Sequence, residues 1–389
     1  MSLRVLLYVQ HLLGVGHLMR AARLAGSFAA AGAEVALVSG GMPVRGLPLG
    51  GASLVQLAPA RSRDERFGEL VDEAGAPLDE AWCQARRASL LAALAERRPD
   101  VVIIEMFPFG RRAMRFELLP LLDAALAEAQ RPLIVASVRD IVQGGRKPGR
   151  AEETLALAVR AFDLVLVHGD PQLVRFEESY PLAAELGERL RYTGYIAPPA
   201  ATRGAAGDPG WGEVVVSAGG GAVGAALLAA AFAAQPLGKL AHCRWRLLAG
   251  GNLPEAALAA LAAGASERLV VERARPDFGR ILANCRISVS QAGYNTVMDI
   301  ATANARAVLV PFAGLGETEQ ALRAEKLAAR GLAQVVPERG LTPERLASAI
   351  DAADAMAPPS FAWLDLTGAE TGVRIVTESL SRRRARRGA

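Results

Sequence analysis

A chain of 389 residues, 51% hydrophobic and 22% charged, is globular and long enough for two domains of ordinary size, which excludes a disordered chain or a small stapled one. Its formal charge of +4 includes five arginines between residues 382 and 387; without them the remainder carries about −1, so no nucleic-acid-binding surface is expected. Three widely spaced cysteines, Cys83, Cys243 and Cys285, suit neither a disulfide framework nor zinc and fit a reducing cytoplasm.

The first predicted strand, Arg4–Val9, carries an arginine and is followed at once by Gln10 and His11, so it does not read as a signal peptide. Next comes Leu13-Gly14-Val15-Gly16-His17-Leu18-Met19-Arg20, a glycine turn opening a helix of about His17 to Ala31, with Leu18, Ala21, Ala25 and Phe28 on one face. A dinucleotide fingerprint would need a third glycine where Met19 stands and an acid at the end of the second strand, where Ser39 stands. A nicotinamide dehydrogenase is thereby disfavoured. His17, at the carboxyl end of a strand, is a candidate base for an attacking hydroxyl, with Gly16 and Arg20 beside it. The other histidines, His11, His168 and His242, lack that setting and read as structural.

Further strands are expected at Glu34–Ser39, Ser53–Leu57, Val101–Ile104, Leu133–Ser137, Leu164–Val167 and Leu190–Thr193, alternating with helices as in parallel α/β architecture. Between them Pro59 to Leu78 reads as a polar mobile loop. Glu105, after the strand at Val101, is placed to orient His17 or to meet an acceptor. Arg139, with Asp140, is a weaker acceptor contact. Ile196 to Gly212, rich in proline and glycine, is the best linker.

After the linker, strands at Glu213–Ser217, Arg244–Leu248, Arg268–Val271, Arg286–Ser290, Ala307–Val310 and Ala333–Val336 alternate with helices. Two doubly wound α/β domains facing across a cleft follow from this pattern. The glycines after Ser217, Gly219 and Gly220 among them, would let backbone amides approach a diphosphate. The apolar run near Ala222 to Ala234 is shorter than the ~20 residues that span a bilayer. No His/Asp/Glu cluster has metal spacing.

Ile287 to Gln320 is the most informative stretch. It reads as strand, glycine turn, helix, strand and polar loop, placing Gln291, Gly293, Asn295, Thr296, Asp299, Glu319 and Gln320 at the carboxyl ends of neighbouring strands, where open α/β sheets bind ligands. Small polar groups and a helix N-terminus suit a phosphate, and the acidic and amide side chains suit sugar hydroxyls.

The pattern Gln291-Ala-Gly-Tyr-Asn-Thr-Val-Met-Asp299, then Val310-Pro-Phe and Glu319-Gln320, resembles the donor site of UDP-dependent glycosyltransferases of the GT-B fold. It is similar to the plant and vertebrate UDP-glycosyltransferases and to family 28, which includes the peptidoglycan N-acetylglucosaminyltransferase, and most of all to a poorly characterised bacterial branch of family-28-like predicted glycosyltransferases. The resemblance implies donor-phosphate contacts at Gln291 (often histidine in the family), Asn295 and Thr296. It also implies ribose at Asp299 (glutamate in the family), sugar at Glu319 and Gln320, and His17 as base. Expected boundaries are residues 1–200 on the acceptor side, 201–365 for the donor, and 366–389 as a helix returning to the first domain with a basic tail. The implied reaction takes a nucleotide sugar as co-substrate with no further cofactor or metal. Its acceptor is a lipid-linked molecule or a small metabolite, and the arginine tail offers a peripheral contact with the inner membrane face. Gly16-His17-x-x-Arg20 also resembles the UDP-sugar hydrolase of pseudaminic acid synthesis, so hydrolysis, or nucleotide-sugar binding without catalysis, stands beside transfer.

Overall fold

Val5, Leu7 and Val9 point to one face of the first strand, Leu6 and Tyr8 to the other, and both faces are buried. Such a strand belongs inside a parallel sheet covered by helices on both sides. The structure, a computed structural model, describes residues 2–388 apart from 65–68, 144–147, 219–223, 252 and 315–316. The chain divides into two units, Met1–Ile196 together with Asp365–Ala389, and Ala197–Leu364.

The first unit contains β1 (Arg4–Val9), β2 (Glu34–Ser39), β3 (Ser53–Gln56), a short antiparallel pair β4 (Arg61–Ser62) and β5 (Leu70–Val71), then β6 (Val101–Glu105), β7 (Leu133–Arg139), β8 (Leu164–His168) and β9 (Leu190–Tyr192). Its helices are α1 (Gly16–Ala30), α2 (Glu80–Arg97), α3 (Arg115–Ala127) and α4 (Arg150–Ala161). Seven strands form one parallel sheet in the order β3-β2-β1-β6-β7-β8-β9. The order reverses between β1 and β6, so a ligand crevice is expected at their carboxyl ends. Leu18, Ala21, Leu24, Ala25 and Phe28 of α1 pack on the face of Val5, Leu7 and Val9.

A buried ion pair fixes the carboxyl edge of this sheet. Arg86 of α2 donates through Nε to Glu117 of α3 at 2.8 Å, through Nη2 to Gln10 at 2.6 Å and through Nη1 to the carbonyls of Gly40 and Ala58 at 2.7 and 2.5 Å. Neither Arg86 nor Glu117 exposes its side chain. The Tyr8 hydroxyl donates to the same carboxylate. The segments leaving β1, β2 and β3 are thus anchored to one guanidinium.

The second unit repeats the plan with β10 (Val214–Ser217), β11 (Trp245–Ala249), β12 (Leu269–Arg273), β13 (Ile287–Ser290), β14 (Ala307–Leu309) and β15 (Ala333–Val335). Its helices are α5 (Ala225–Ala234), α6 (Glu255–Ala262), α7 (Phe278–Asn284), α8 (Tyr294–Ala303), α9 (Glu319–Ala329) and α10 (Pro343–Ala355). The sheet runs β12-β11-β10-β13-β14-β15, all parallel, and reverses between β10 and β13.

The chain then returns to the first unit as α11 (Gly368–Gly388), which buries Ala369, Val376 and Leu380 against the α1 side of the first sheet. The Gly368 amide donates to the Tyr195 carbonyl at 3.0 Å, and a Cβ at Gly368 would collide with the Gly194 carbonyl, so the close approach requires glycine. Arg383 donates to the Pro132 carbonyl at 2.9 Å and Arg384 to Asp100 at 2.7 Å.

Strand boundaries differ from the sequence reading where polar residues are carried in register. β6 extends to Glu105, β7 to Arg139 and β8 to His168. Pro59 to Leu78, expected as a polar mobile loop, holds the antiparallel β4–β5 pair, with an Arg63–Glu69 ion pair at 2.7 Å beside it. Among the described residues no helix is long and apolar enough to cross a membrane.

Arg86→Ala leaves the Glu117 carboxylate buried and unanswered and should lower unfolding stability in urea by about 3–5 kcal/mol. Combining Arg86→Met with Glu117→Leu should recover most of the loss. A cost in the single variant below about 1 kcal/mol would show that the network is not what holds this edge.

Candidate functional site

Glu105 is the last residue of β6 and shares its strand face with Val101 and Ile103, the face covered by α1. His17 and Arg20 lie one helical turn apart on α1 and so reach the same place. His17 Nδ1 is 3.1 Å from Glu105 Oε1, and the Arg20 guanidinium, 2% exposed, pairs with that oxygen. Arg20 Nη2 is also 3.2 Å from His17 Nδ1. A carboxylate only accepts, so an unprotonated Nδ1 would set lone pair against lone pair. The Arg20 guanidinium only donates and by itself would favour the opposite tautomer, but its Nη2 is already paired with Glu105 Oε1. The proton is therefore assigned to Nδ1, and Nε2 is the basic atom. The other Glu105 oxygen accepts from Ser137 Oγ at 2.5 Å.

The surroundings are cationic. Arg111, which donates to the Gln10 carbonyl at 2.7 Å, is pulled down to about 10 by burial and then by the neighbouring charge of Arg139. Burial above all, and then Arg111, Arg20, Arg139 and His11, hold His17 well below its ordinary 6.5, so it is neutral at pH 7. Arg20, expected from the sequence to face an acceptor, is spent on Glu105. Gly16 is the first residue of α1, whose first turn contains no acidic residue and whose N-cap, Val15, makes no side-chain cap.

In the second unit Gln291 follows β13 and is nearly buried. Gly293 caps α8 with φ −65° and ψ 150°, a conformation open to any residue. A methyl group there would meet nothing nearer than the Thr296 hydroxyl at 4.0 Å. Neither backbone nor packing demands glycine, so its effect is to leave the end of α8 uncovered. Asn295, Thr296 and Asp299 share the partly exposed face of α8, while Val297, Met298, Ile300 and Ala301 are buried.

Glu319 and Gln320 turn toward the protein. Gln320 Oε1 accepts the amides of Ala292 and Phe312 at 3.0 and 3.1 Å. Glu319, 1% exposed, pairs with Arg323 at 2.8 Å, and Arg323 donates to the Ala292 carbonyl at 2.8 Å. The pair thus ties the loop after β13 to the loop after β14. Arg323 escaped the sequence reading, although its spacing of four from Glu319 on a helix was a usable signal. Ser137, Arg111 and His168 were also passed over as site groups. Gly219 and Gly220 lie outside the described residues. Among the described residues no group of three or more His, Cys, Asp or Glu side chains is placed to hold a metal.

Residues 219–361 match the family model described as the glycosyltransferase family 28 C-terminal domain. A segment of 72 residues is 38% identical to the UDP-N-acetylglucosamine–N-acetylmuramyl-(pentapeptide) pyrophosphoryl-undecaprenol N-acetylglucosamine transferase of Rhizobium etli, covering 18% of this chain and 19% of that protein. The chain thus spans about a fifth of that relative's length. The calicheamicin glycosyltransferase CalG4 superposes with a TM-score of 0.61 at 18% identity, over 98% of this chain and 95% of the other. The glycosyltransferase VinC in complex with dTDP gives 0.60 at 15% identity, over 98% and 100%. The chain has the fold of GT-B glycosyltransferases, with a family-28-like second unit.

His11, His17 and His168 all have lowered proton affinity, His11 to about 4, chiefly through burial. Unfolding restores a value near 6.5, so the unfolded chain binds more protons below that pH. Their contribution is complete above pH 6.5 and is lost as pH falls from there toward the folded values. Urea unfolding at pH 5.5 should show a loss of about 1.4 kcal/mol per histidine relative to pH 7.5. Equal stability at both values would show that these imidazoles are solvated.

Proposed function

We propose that this chain, with its family-28-like second unit on a GT-B fold, moves a sugar from a nucleoside diphosphate sugar, with UDP as the leading nucleotide, to a hydroxyl acceptor. The observation that carries this reading is the place of His17, its Nδ1 3.1 Å from Glu105 and its imidazole kept neutral by burial and the neighbouring guanidiniums. With the Nδ1 proton toward the carboxylate, Nε2 is available as a base. Nε2 takes the acceptor's hydroxyl proton as the acceptor oxygen bonds to the anomeric carbon. The bond from that carbon to the diphosphate breaks, and the nucleoside diphosphate leaves with the electron pair.

The α8 N-terminus suits the departing diphosphate, since its first turn has no acidic residue and no side-chain cap. Gln291, Asn295 and Thr296 would add hydrogen bonds, Asp299 would hold the ribose, and Glu319 and Gln320 would set the sugar's side of the pocket. In this reading these groups, rather than a metal ion, stabilise the leaving charge. The dTDP bound to VinC supports a nucleotide donor. The charges of Arg20, Arg111 and Arg139 all act on His17, which favours an acceptor with an anionic group, lipid-linked or small. A cytoplasmic protein touching an anionic membrane face through the α11 arginines accords with such an acceptor, although Arg383 and Arg384 are already engaged within the first unit.

Incubation with UDP-, dTDP- and GDP-sugars tests the donor. The cognate nucleotide at ~100 times its Kd should stabilise the fold by about 2.7 kcal/mol, read as a rise in Tm. If none of them shifts Tm, the reading fails. Gly293→Ala should fold normally yet bind the donor more weakly. His17→Ala should retain donor binding and lose about 10²–10⁴ in kcat. Stoichiometric free sugar without any acceptor would assign the chain to hydrolysis, with water in place of the acceptor hydroxyl.

A further inference from the structure

The polar residues at the carboxyl edge of the first sheet form a continuous row. Glu105 ends β6, and Ser137 lies opposite it in register on β7. His168 ends β8, and Thr193 follows β9. Each is at most 1% exposed. Ser137 Oγ is 2.5 Å from Glu105 Oε2 and 2.9 Å from His168 Nε2, and His168 Nδ1 is 2.9 Å from Thr193 Oγ1. Beyond Thr193 are the carbonyls of Gly194 at 2.7 Å and Val167 at 3.3 Å.

The protons in this row follow from which end holds the stronger acceptor. Ser137 has one hydroxyl proton, and a carboxylate oxygen at 2.5 Å requires it. Its oxygen is then an acceptor toward His168, which must donate from Nε2. A neutral His168 then has a bare Nδ1 that asks for the Thr193 hydroxyl proton, which the Gly194 carbonyl at 2.7 Å also accepts. The charge-assisted bond to Glu105 is the stronger demand, so His168 keeps its proton on Nε2 and the Thr193 proton turns to Nδ1. Neutrality follows from burial above all and then from the charge of Arg20, which keep this imidazole well below its ordinary value.

We propose that Ser137 and His168 are positioning residues for the base. They hold the Glu105 carboxylate in one plane, and Glu105 in turn holds His17 in the tautomer that leaves Nε2 free to accept a proton. The chain of command runs from Thr193 through His168, Ser137 and Glu105 to His17, across four consecutive strand ends. None of these groups but His17 needs to touch a substrate. The kinetic part of this inference rests on the transferase reading above; the tautomers do not.

Nitrogen-15 NMR of histidine-labelled wild-type protein reads the tautomers directly. His17 should show a proton on Nδ1 and His168 a proton on Nε2. A proton on Nδ1 of His168 would overturn the proposal whether or not the protein is active. In folded Ser137→Ala, His17 should lose its single tautomer. Kinetically, Ser137→Ala and His168→Leu should lower kcat by about tenfold to a hundredfold, the size seen when groups orienting a ligating histidine are removed, with donor KM held within about twofold. His168→Gln keeps a donor N–H toward Ser137 and should retain most of the activity. Equal loss in the Gln and Leu variants would reduce His168 to a packing role and sink the relay. A wild type that transfers no sugar would defeat the transferase reading, and the tautomers would still decide on the relay.

Discussion

A carboxylate with no access to water costs several kcal/mol unless the protein answers it from more than one side, and Glu105 is such a group. The answer draws on two separate elements. Arg20 and His17 come from α1 and Ser137 from β7. Each requirement constrains the chain further. His17 and Arg20 must be three apart at the start of a helix that packs on the same side of the sheet through Leu18, Ala21, Ala25 and Phe28. That phase is possible only if α1 begins at Gly16, immediately past the turn that leaves β1. The buried Arg86 performs a parallel duty for the loops beside it, so the edge where β1 and β6 diverge is held by two enclosed ion pairs.

The two units use the same sheet plan for different electrostatic ends. In the first, the divergence of β1 and β6 collects full charges, three guanidiniums and one carboxylate around an imidazole. In the second, the divergence of β10 and β13 leads to a helix start with amides and uncharged side chains. Partial charges of that kind bind an anion without first having to release a counter-charge. The charged residues nearby, Glu319 and Arg323, neutralise one another beneath the surface and hold the Ala292 backbone in place. Rigidity there keeps the orientation of the α8 amides fixed, which matters more to an electrostatic site than the number of its donors.

Much of this was visible in the residues alone. The alternation of strands and helices and the glycine turn before His17 depend on neighbours within a few positions, where local chemistry is decisive. Glu105 was found because it ends an apolar run. Ser137 and His168 were not, because each closes an apolar strand as an ordinary polar residue would. Their meeting depends on the register of strands some thirty residues apart, which no local pattern encodes. The Glu319-Gln320 pair shows the converse case. Its chemistry fits a sugar, yet its side chains bond to Arg323, Ala292 and Phe312, contacts set by the angle at which α9 leaves β14.

The return of α11 to the first unit has a consequence for how the chain is made. Ala369, Val376 and Leu380 form one wall of the core that also contains Leu24 and Phe28. On the ribosome, β1 to β9 emerge long before that wall exists, while Ala197–Leu364 leaves as one uninterrupted segment. The unit begun first is therefore completed last, with apolar surface exposed in the interval, a period in which chaperones would find a substrate. The same geometry governs how the protein can be cut. Tyr195 donates to the Asp365 carbonyl at 2.7 Å, and Ile196 bridges to Thr367, so the two ends of the interruption lie side by side. Cleaving at Ile196 strips the first unit of a wall; joining Ile196 directly to Asp365 keeps both, and makes a continuous domain from a divided one.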